Sequence, residues 1–578
     1  MAETSAQRAL AVSLSALTDT ELGRLFDERQ ISPSSTWRDM FDAAEALLEP
    51  ASVARGLPAL SRDEAEALVA AVDGEAATGR VRADLASRAL VDDAGAPFPT
   101  VADAVREARP DGLAGPRTAA REPGAAESAA SVAAASEAAF TNAASVADVL
   151  LQTLGSPLGR IGSGSLGATE RRRLVDAGAV ETPADADLLV GLAASVGLLG
   201  ANDRAWLVSP AGREWLKLPT LERWQQTAVA LRDALPRAYR SENGGWIPLH
   251  LWAGATPFDP EAPERAALWT ERLTRWGLTD AAGRITPWAQ PLAEGGDVDT
   301  SALRELLPPE VDRVYLQNDL TAIAPGPLAP HLDVRLRSMA TRESRAQASS
   351  YRFSAATIGA AITAGETADS LREFLSGISL TGLPQPLAYV IERTAAEHGR
   401  VRVMTEAASS LTRVVTDDET LLRSMEIDQS LRSIALTRTD DALESHVSAD
   451  VVFWALTDAH YPAVAVDEQG RPRALERAKL ATEQTPGADA DETYAPLIAR
   501  LRAGAEDSDA AWLERELDQA VRARAVIDVT VRLPDGTARV FRLEATGLGG
   551  GRLRGRDRGA DVERTLPLSH IDGVAPVA

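Results

Sequence analysis

Val314-Tyr315-Leu316-Gln317-Asn318-Asp319-Leu320-Thr321-Ala322-Ile323-Ala324 is the stretch on which the reading of the fold turns. Two short apolar runs, Val314–Gln317 and Ala322–Ala324, flank a polar corner, and Pro325-Gly326-Pro327 stops the second. Runs of that length bounded by turn residues read as strands. The period then changes. Ala355–Ala364 and Ala368–Ser376 carry helical spacing, and Gly365 after the first suits the left-handed position beyond a helix. Leu383-Pro384-Gln385-Pro386 opens a third helix, Leu387–His398, ended by Gly399, and Val401-Arg402-Val403 is expected to close the unit as a strand. Residues 301–403 are thus a mixed α/β module.

Upstream of it the chain reads as mostly helical. Residues 1–108 form a helical N-terminal domain, with apolar residues at helical spacing from Leu10 to Phe26 and a capping-box start at Thr18-x-x-Glu21. Asp63-Glu64-Ala65-Glu66 resembles a helicase DExx loop on paper, but it follows Ser61 and suits the first turn of a helix, where acids complement the dipole. Residues 109–145 are dominated by Ala, Gly, Pro and Ser and read as a linker or weakly helical tether. Residues 146–300 hold eight of the eleven tryptophans and read as winged-helix-like: a helix near 146–154, a second opened by Thr169, a third over Ala184–Leu199, then Ala205–Val208 as a wing strand. A weaker echo follows, with a helix at Trp269–Gly277, a strand at Arg284–Thr286 and a helix at Pro287–Leu292. A third helix that reads bases needs Arg, Lys, Asn or Gln on its outer face. This one carries Asp185 and Asp187 and no base, which favours an architectural or protein-binding role. Arg171-Arg172-Arg173 before it reads as a solvated charged face, with contact to a nucleic-acid backbone as the alternative.

Downstream, residues 404–519 hold 24 acidic and 11 basic residues and read as an acidic helical region with a hairpin near Ala463–Gly470. Residues 520–578 turn basic, with 10 bases and 7 acids, and turn β-like. Ile527–Leu533 alternates, Pro534-Asp535-Gly536 turns and Ala538–Leu543 returns, a hairpin signal. Gly549-Gly550-Gly551 leads into Arg552-Leu553-Arg554-Gly555-Arg556-Asp557-Arg558, and a strand of period two running that far sets the four arginines on one face. The fold class expected is multidomain and predominantly α with α+β modules, ending in a small C-terminal β-barrel.

Composition removes several chemistries. The 578 residues carry a formal charge of −24 and no cysteine, so disulfide scaffolds, thiolate nucleophiles and iron–sulfur clusters are out. Only Lys217 and Lys479 are lysines, and each is followed by leucine, so the Gly-Lys-Ser/Thr of a P-loop does not occur. The six histidines show no metal-ligand spacing, and His398 before Gly399 suits a helix end. Gly162-x-Gly164-x-x-Gly167 lacks the preceding strand of a dinucleotide site, and no Gly-x-Ser-x-Gly elbow occurs. No cofactor, metal or catalytic residue is expected. No run of about 20 apolar residues and no export signal is visible, so a cytoplasmic protein away from membranes is expected.

The order of motifs resembles a known family. Gln317-x-Asp319-x-Thr321, Tyr351-Arg352-Phe353-Ser354, Ala361-x-x-Ala364-Gly365, Leu383-Pro384-Gln385-Pro386 and Gly399-Arg400-Val401 together resemble the non-catalytic N-terminal region of XPB-type DNA repair helicases. Ser52–Leu57 and Leu60-Ser61-Arg62 resemble the helical start of actinobacterial helicase-associated proteins that carry such a module without an ATPase. Glu563–Ile571 resembles the closing strand of WYL-type barrels of bacterial regulators, with two departures: the Trp-Tyr-Leu triplet is absent, and His570 stands where an arginine is usual. The resemblance implies a helicase accessory with no motor, hence no enzyme, acting with DNA and a separate superfamily-two helicase subunit in repair or transcription.

Two arginine clusters are the candidates for DNA-backbone contact: Arg335, Arg337, Arg342, Arg345 and Arg352 in the α/β module, and Arg552, Arg554, Arg556 and Arg558 at the C-terminal end. The planar guanidinium fork matches phosphate, and such contacts give salt-dependent, sequence-independent affinity. The alternative is that both clusters are solvated faces or pair with the acidic region, which leaves a protein-interaction scaffold or WYL-type regulator without direct DNA contact.

Overall fold

A computed structural model describes residues 2–109, 113, 128–162, 164–202, 204–344, 348–405, 411–459, 461–467, 470, 471, 473, 475, 479–482, 490–503, 508–533 and 537–576. The chain is multidomain and about half helical, and its described residues form four small sheets. Among the described residues no helix is long and apolar enough to cross a membrane.

Seven helices between Ala2 and Ala108 build the N-terminal domain around Leu10, Leu14, Leu22, Phe26, Leu47, Leu68 and Val101. Thr18 and Glu21 cap the Asp19–Glu28 helix reciprocally, at 2.7 and 3.3 Å. Ser61 and Glu64 do the same at 2.8 and 3.4 Å, so the DExx look-alike is a helix start. This core is finished by a distant segment. The helix Ala490–Ala503 inserts Tyr494, Leu497, Ile498 and Leu501 into it, with the Tyr494 ring edge-on to Phe26 and its hydroxyl donating to Ile31 O at 2.8 Å. The acidic region 404–519 is therefore not one unit.

The tether expected over 109–145 is a helix from Ala129 onward, continuous to Gly155. Alanine is the best helix former, and the small side chains also pack. Ala135, Ala139 and Ala143 line up four residues apart and are buried, then Val146, Val149 and Leu150 continue the stripe. Gly277, at φ +66° after the Ala262–Arg275 helix, lies against it so closely that a Cβ there would meet Ala135 O at 2.4 Å. The tryptophans fill the space behind: Trp224 and Trp276 exchange hydrogen bonds from indole to backbone carbonyl at 2.7 and 2.9 Å. Residues 146–300 open with the order helix, strand, helix, helix, hairpin: β1 (Leu158–Gly159), helices Ala168–Asp176 and Pro183–Ser195, β2 (Leu199–Asn202) and β3 (Ala205–Val208), in a sheet of order β1-β3-β2. The expected second echo is reduced to a single bridge, Thr279 with Ile285, between helices.

Strands β4 (Tyr315–Leu316), β5 (Thr321–Ala324), β6 (Thr341–Ser344) and β7 (Ser349–Arg352) form an antiparallel sheet of order β4-β5-β7-β6. Helices Pro330–Met339, Ala355–Thr363, Ala368–Ile378 and Gln385–Glu397 bury Leu336, Ile358, Leu371 and Leu387 against it. The expected closing strand does not belong here. β8 (Val401–Thr405) pairs with β9 (Thr412–Val415), and with β10 (Thr437–Arg438), β11 (Ala442–Ser445) and β12 (Ala463–Ala465) it makes a separate sheet of order β10-β11-β9-β8-β12. Val401, Val403 and Val414 belong to that sheet's own core. β12 pairs in parallel with β8, and beyond it the chain turns back where the hairpin is expected: Gly470 N donates to Asp467 O, Asp467 N to Arg471 O and Arg473 N to Ala465 O. At the helix end, burial lowers the pKa of His398 and so disfavours the charged ring that the dipole would favour.

The C-terminal strands are β13 (Val526–Arg532), β14 (Ala538–Gly549), β15 (Arg552–Asp557), β16 (Val562–Pro567) and β17 (Ile571–Pro576), in the order β16-β15-β14-β13-β17. Every ladder is antiparallel, and β16 and β17 remain the two edges, so among the described residues the expected barrel is an open sheet. The Ser508–Arg522 helix covers one face through Leu517 and Ala520.

The start of the long helix is pinned by Asp280. Burial alone would raise this carboxyl. Hydrogen bonds from the Ser131 hydroxyl at 2.7 Å, the Arg284 backbone and side chain and the Ala282 amide outweigh burial and hold it at about 2. A carboxyl lowered by folding stabilises the folded chain above its ordinary value of about 4, and that contribution is lost as pH falls through the folded value. Asp280→Asn is therefore expected to be less stable than wild type at pH 7, with the gap narrowing between pH 4 and 2. Denaturant titration followed by tryptophan fluorescence measures it.

Candidate nucleic-acid interface

The sequence's first arginine cluster is drawn into ion pairs. The Pro330–Met339 helix carries Arg335 and Arg337, and β6 and β7 carry Arg342 and Arg352. Arg335 makes two parallel bonds to Glu366, at 2.8 and 3.0 Å, while lying 4.4 Å over the Phe374 ring. Arg352 takes Glu343 on the neighbouring strand. Arg337 and Arg342 both close on Asp148 of the long Ala129–Gly155 helix, one on each carboxylate oxygen. Their side chains keep 13% exposure and that of Asp148 only 2%. The network continues inward. Asp333 lies 3.7 Å from Arg337 and accepts the Tyr351 hydroxyl at 2.6 Å. Burial, then the Asp333 carboxylate, push that hydroxyl up. Nearby Arg223 is buried, which lowers it to about 10 despite the surrounding acids.

This corrects the sequence expectation for Arg337 and Arg342. They hold the α/β module against the middle domain and do not line an open surface. The partners come from Asp148, Glu366 and Glu343, not from the acidic 404–519 region. Spacing within 333–352 could not reveal this, because Asp148 is almost 200 residues away in sequence. Arg345 lies outside the described residues.

The aspartates of the third helix are also structural. Asp185 caps Thr182 and pairs with Arg275 at 3.0 Å, and Asp187 pairs with Arg171 at 2.7 Å. Arg172 and Arg173 pair with Asp176 and Glu170, which leaves the triple-arginine run a self-neutralised face.

The second cluster is different. In β15 exposed and buried residues alternate strictly, which sets Arg552, Arg554 and Arg556 on the outer face and Leu553 on the helix-covered one. The strand ends at Asp557, so Arg558 is not the fourth member of that row. Arg556 pairs with Asp561 at 2.8 Å and Arg558 with Glu544 at 2.6 Å. Arg552 and Arg554 are exposed and have no ion-pair partner among the described residues. On the core side, Asp557 is held below the usual carboxylate range by Arg564 at 2.5 Å and by the Gly559 amide.

Comparison with known families gives one match. Residues 314–440, about a fifth of the chain, are similar to the family described as helicase conserved C-terminal domain. The stretch therefore holds a helicase-related domain. It begins at β4, takes in the whole β4–β7 sheet and crosses residue 403 to end after β10. No curated protein matches the chain.

Asp148→Ala is expected to destabilise the chain by about 3–5 kcal/mol, because it strands two buried guanidinium groups. Equilibrium unfolding in urea measures the loss. Asp148→Glu, which keeps the charge, should recover part of it.

Proposed function

We propose that this chain is a non-catalytic, helicase-associated nucleic-acid-binding protein, an accessory to a separate superfamily-two helicase in DNA repair or transcription. The observation that carries the reading is the helicase-related domain at 314–440 in a sequence with no Gly-Lys-Ser/Thr anywhere. A helicase motor needs that lysine on the phosphates of ATP, so nucleotide hydrolysis falls to another chain. The order of motifs from Gln317 to Val401 supports an XPB-type N-terminal-like module. The helix, strand, helix, helix, hairpin order of residues 129–208 supports a winged helix used as architecture, since its third helix spends its acids on Arg171 and Arg275. The strands from Val526 to Pro576 support a WYL-like element.

A second reading, a protein-interaction scaffold or regulator without DNA contact, draws on the internal pairing of Arg335, Arg337, Arg342 and Arg352. Fluorescence anisotropy of the full chain with single-stranded, duplex and forked DNA separates the two. Binding at low salt that fades at high salt is expected. Absence of binding at low salt leaves the scaffold reading. Affinity capture that recovers a superfamily-two helicase supports the accessory role, and a mixture with that helicase should raise its unwinding rate while the chain alone hydrolyses no ATP.

A further inference from the structure

We propose that the outer face of the C-terminal sheet, at Arg552 and Arg554, is a docking surface for the phosphodiester backbone of duplex nucleic acid. The inference rests on the nucleic-acid reading above and narrows it to one surface.

The ladder registers divide the face into rows. Arg552 lies between Gly549 of β14 and Pro567 of β16, and Arg554 between Gly547 and Thr565. The next row differs in sign: Arg556 lies between Glu544 and Glu563. The positive charge that is not offset thus sits in two adjacent rows, with guanidinium groups two residues apart on one strand, roughly 7 Å of rise. Their exposed forks can each donate to two oxygens of a phosphate, the geometry for which arginine is suited. Arg337 and Arg342 would first have to leave a buried carboxylate.

The neighbouring strand gives access. A Cβ placed on Gly547 or on Gly549 would meet nothing within 4 Å, so bare backbone flanks the two arginines and a bulky polyanion can approach without displacing a side chain. Thr565 adds an exposed hydroxyl in the Arg554 row. Among the described residues the face has no ring on which to stack a base: its other outward residues include Asp528, Thr530, Val540, Arg542, Glu544 and Glu563. Single-strand platforms draw affinity from aromatic stacking, which this surface does not offer. It contacts phosphate and reads no sequence.

The test uses the full chain, a labelled random-sequence duplex and a salt titration. Each phosphate contact contributes about 0.9 to the slope of log K against log salt on duplex. Arg552→Gln with Arg554→Gln is expected to make that slope shallower by about 2 and to weaken binding equally on unrelated sequences. Gly549→Glu sets a carboxylate beside Arg552 in open space. It should weaken binding while leaving thermal unfolding unchanged, which guards against a folding defect in the double variant. A double variant with wild-type slope and affinity overturns this surface while leaving the nucleic-acid reading standing. A change of slope on single strands and not on duplex overturns the duplex assignment. A wild-type chain that binds no nucleic acid at low salt removes both.

Discussion

The interaction on which the arrangement depends is the closure of Arg337 and Arg342 on Asp148. A carboxylate almost wholly out of water is costly, and it persists only where opposite charge and hydrogen bonds meet it. Here two guanidinium groups do so from the helicase-related domain, and Asp333 and Tyr351 extend the pairing into that domain's own helix and sheet. An apolar contact of equal area would tolerate sliding. Two forks on two oxygens fix orientation as well as distance. The long Ala129–Gly155 helix can therefore serve two neighbours at once. Its alanine face lets Gly277 and the tryptophan core close in, and Asp148 holds the helicase-related domain.

This clamp also explains how a chain of net charge −24 distributes its bases. Four arginines of the helicase-related domain, Arg335, Arg352, Arg337 and Arg342, are neutralised by Glu366, Glu343 and Asp148. The C-terminal sheet spends some of its own in the same way, on Asp528, Asp561, Glu544 and Asp557. What is left over at Arg552 and Arg554 is small in number and well placed. It lies on a face opposite the covering helix, beside glycine backbone. Local charge rows, more than the total, decide where a polyanion can rest.

Much of the fold was legible in the sequence wherever a local rule governed. The capping pairs Thr18–Glu21 and Ser61–Glu64, the helix ends at Gly365 and Gly399, and the alternation of Val526–Arg532 and Arg552–Asp557 are short-range consequences of residue type. What was not legible is non-local. Alanines 129–143 read as a tether because small side chains give little amphipathic signal, and their packing is visible only once Gly277 is beside them. Val401–Val403 alternates as a strand should, but its partner could not be chosen from the alternation, and it joined the following sheet. For the site the division is the same. The period of β15 placed three arginines on one face, whereas the fate of Arg337 and Arg342 depended on a residue in another domain.

The docking of Ala490–Ala503 among the first helices has a consequence for how the protein comes into being. A ribosome delivers the chain from its amino end at about 5–20 residues per second, so the groove between Phe26 and Ile31 waits roughly half a minute to a minute and a half for Tyr494 and Leu497. During that interval the domain made first is the one left unfinished. The order of synthesis and the order of completion differ, and a helix that emerges late seals the earliest core.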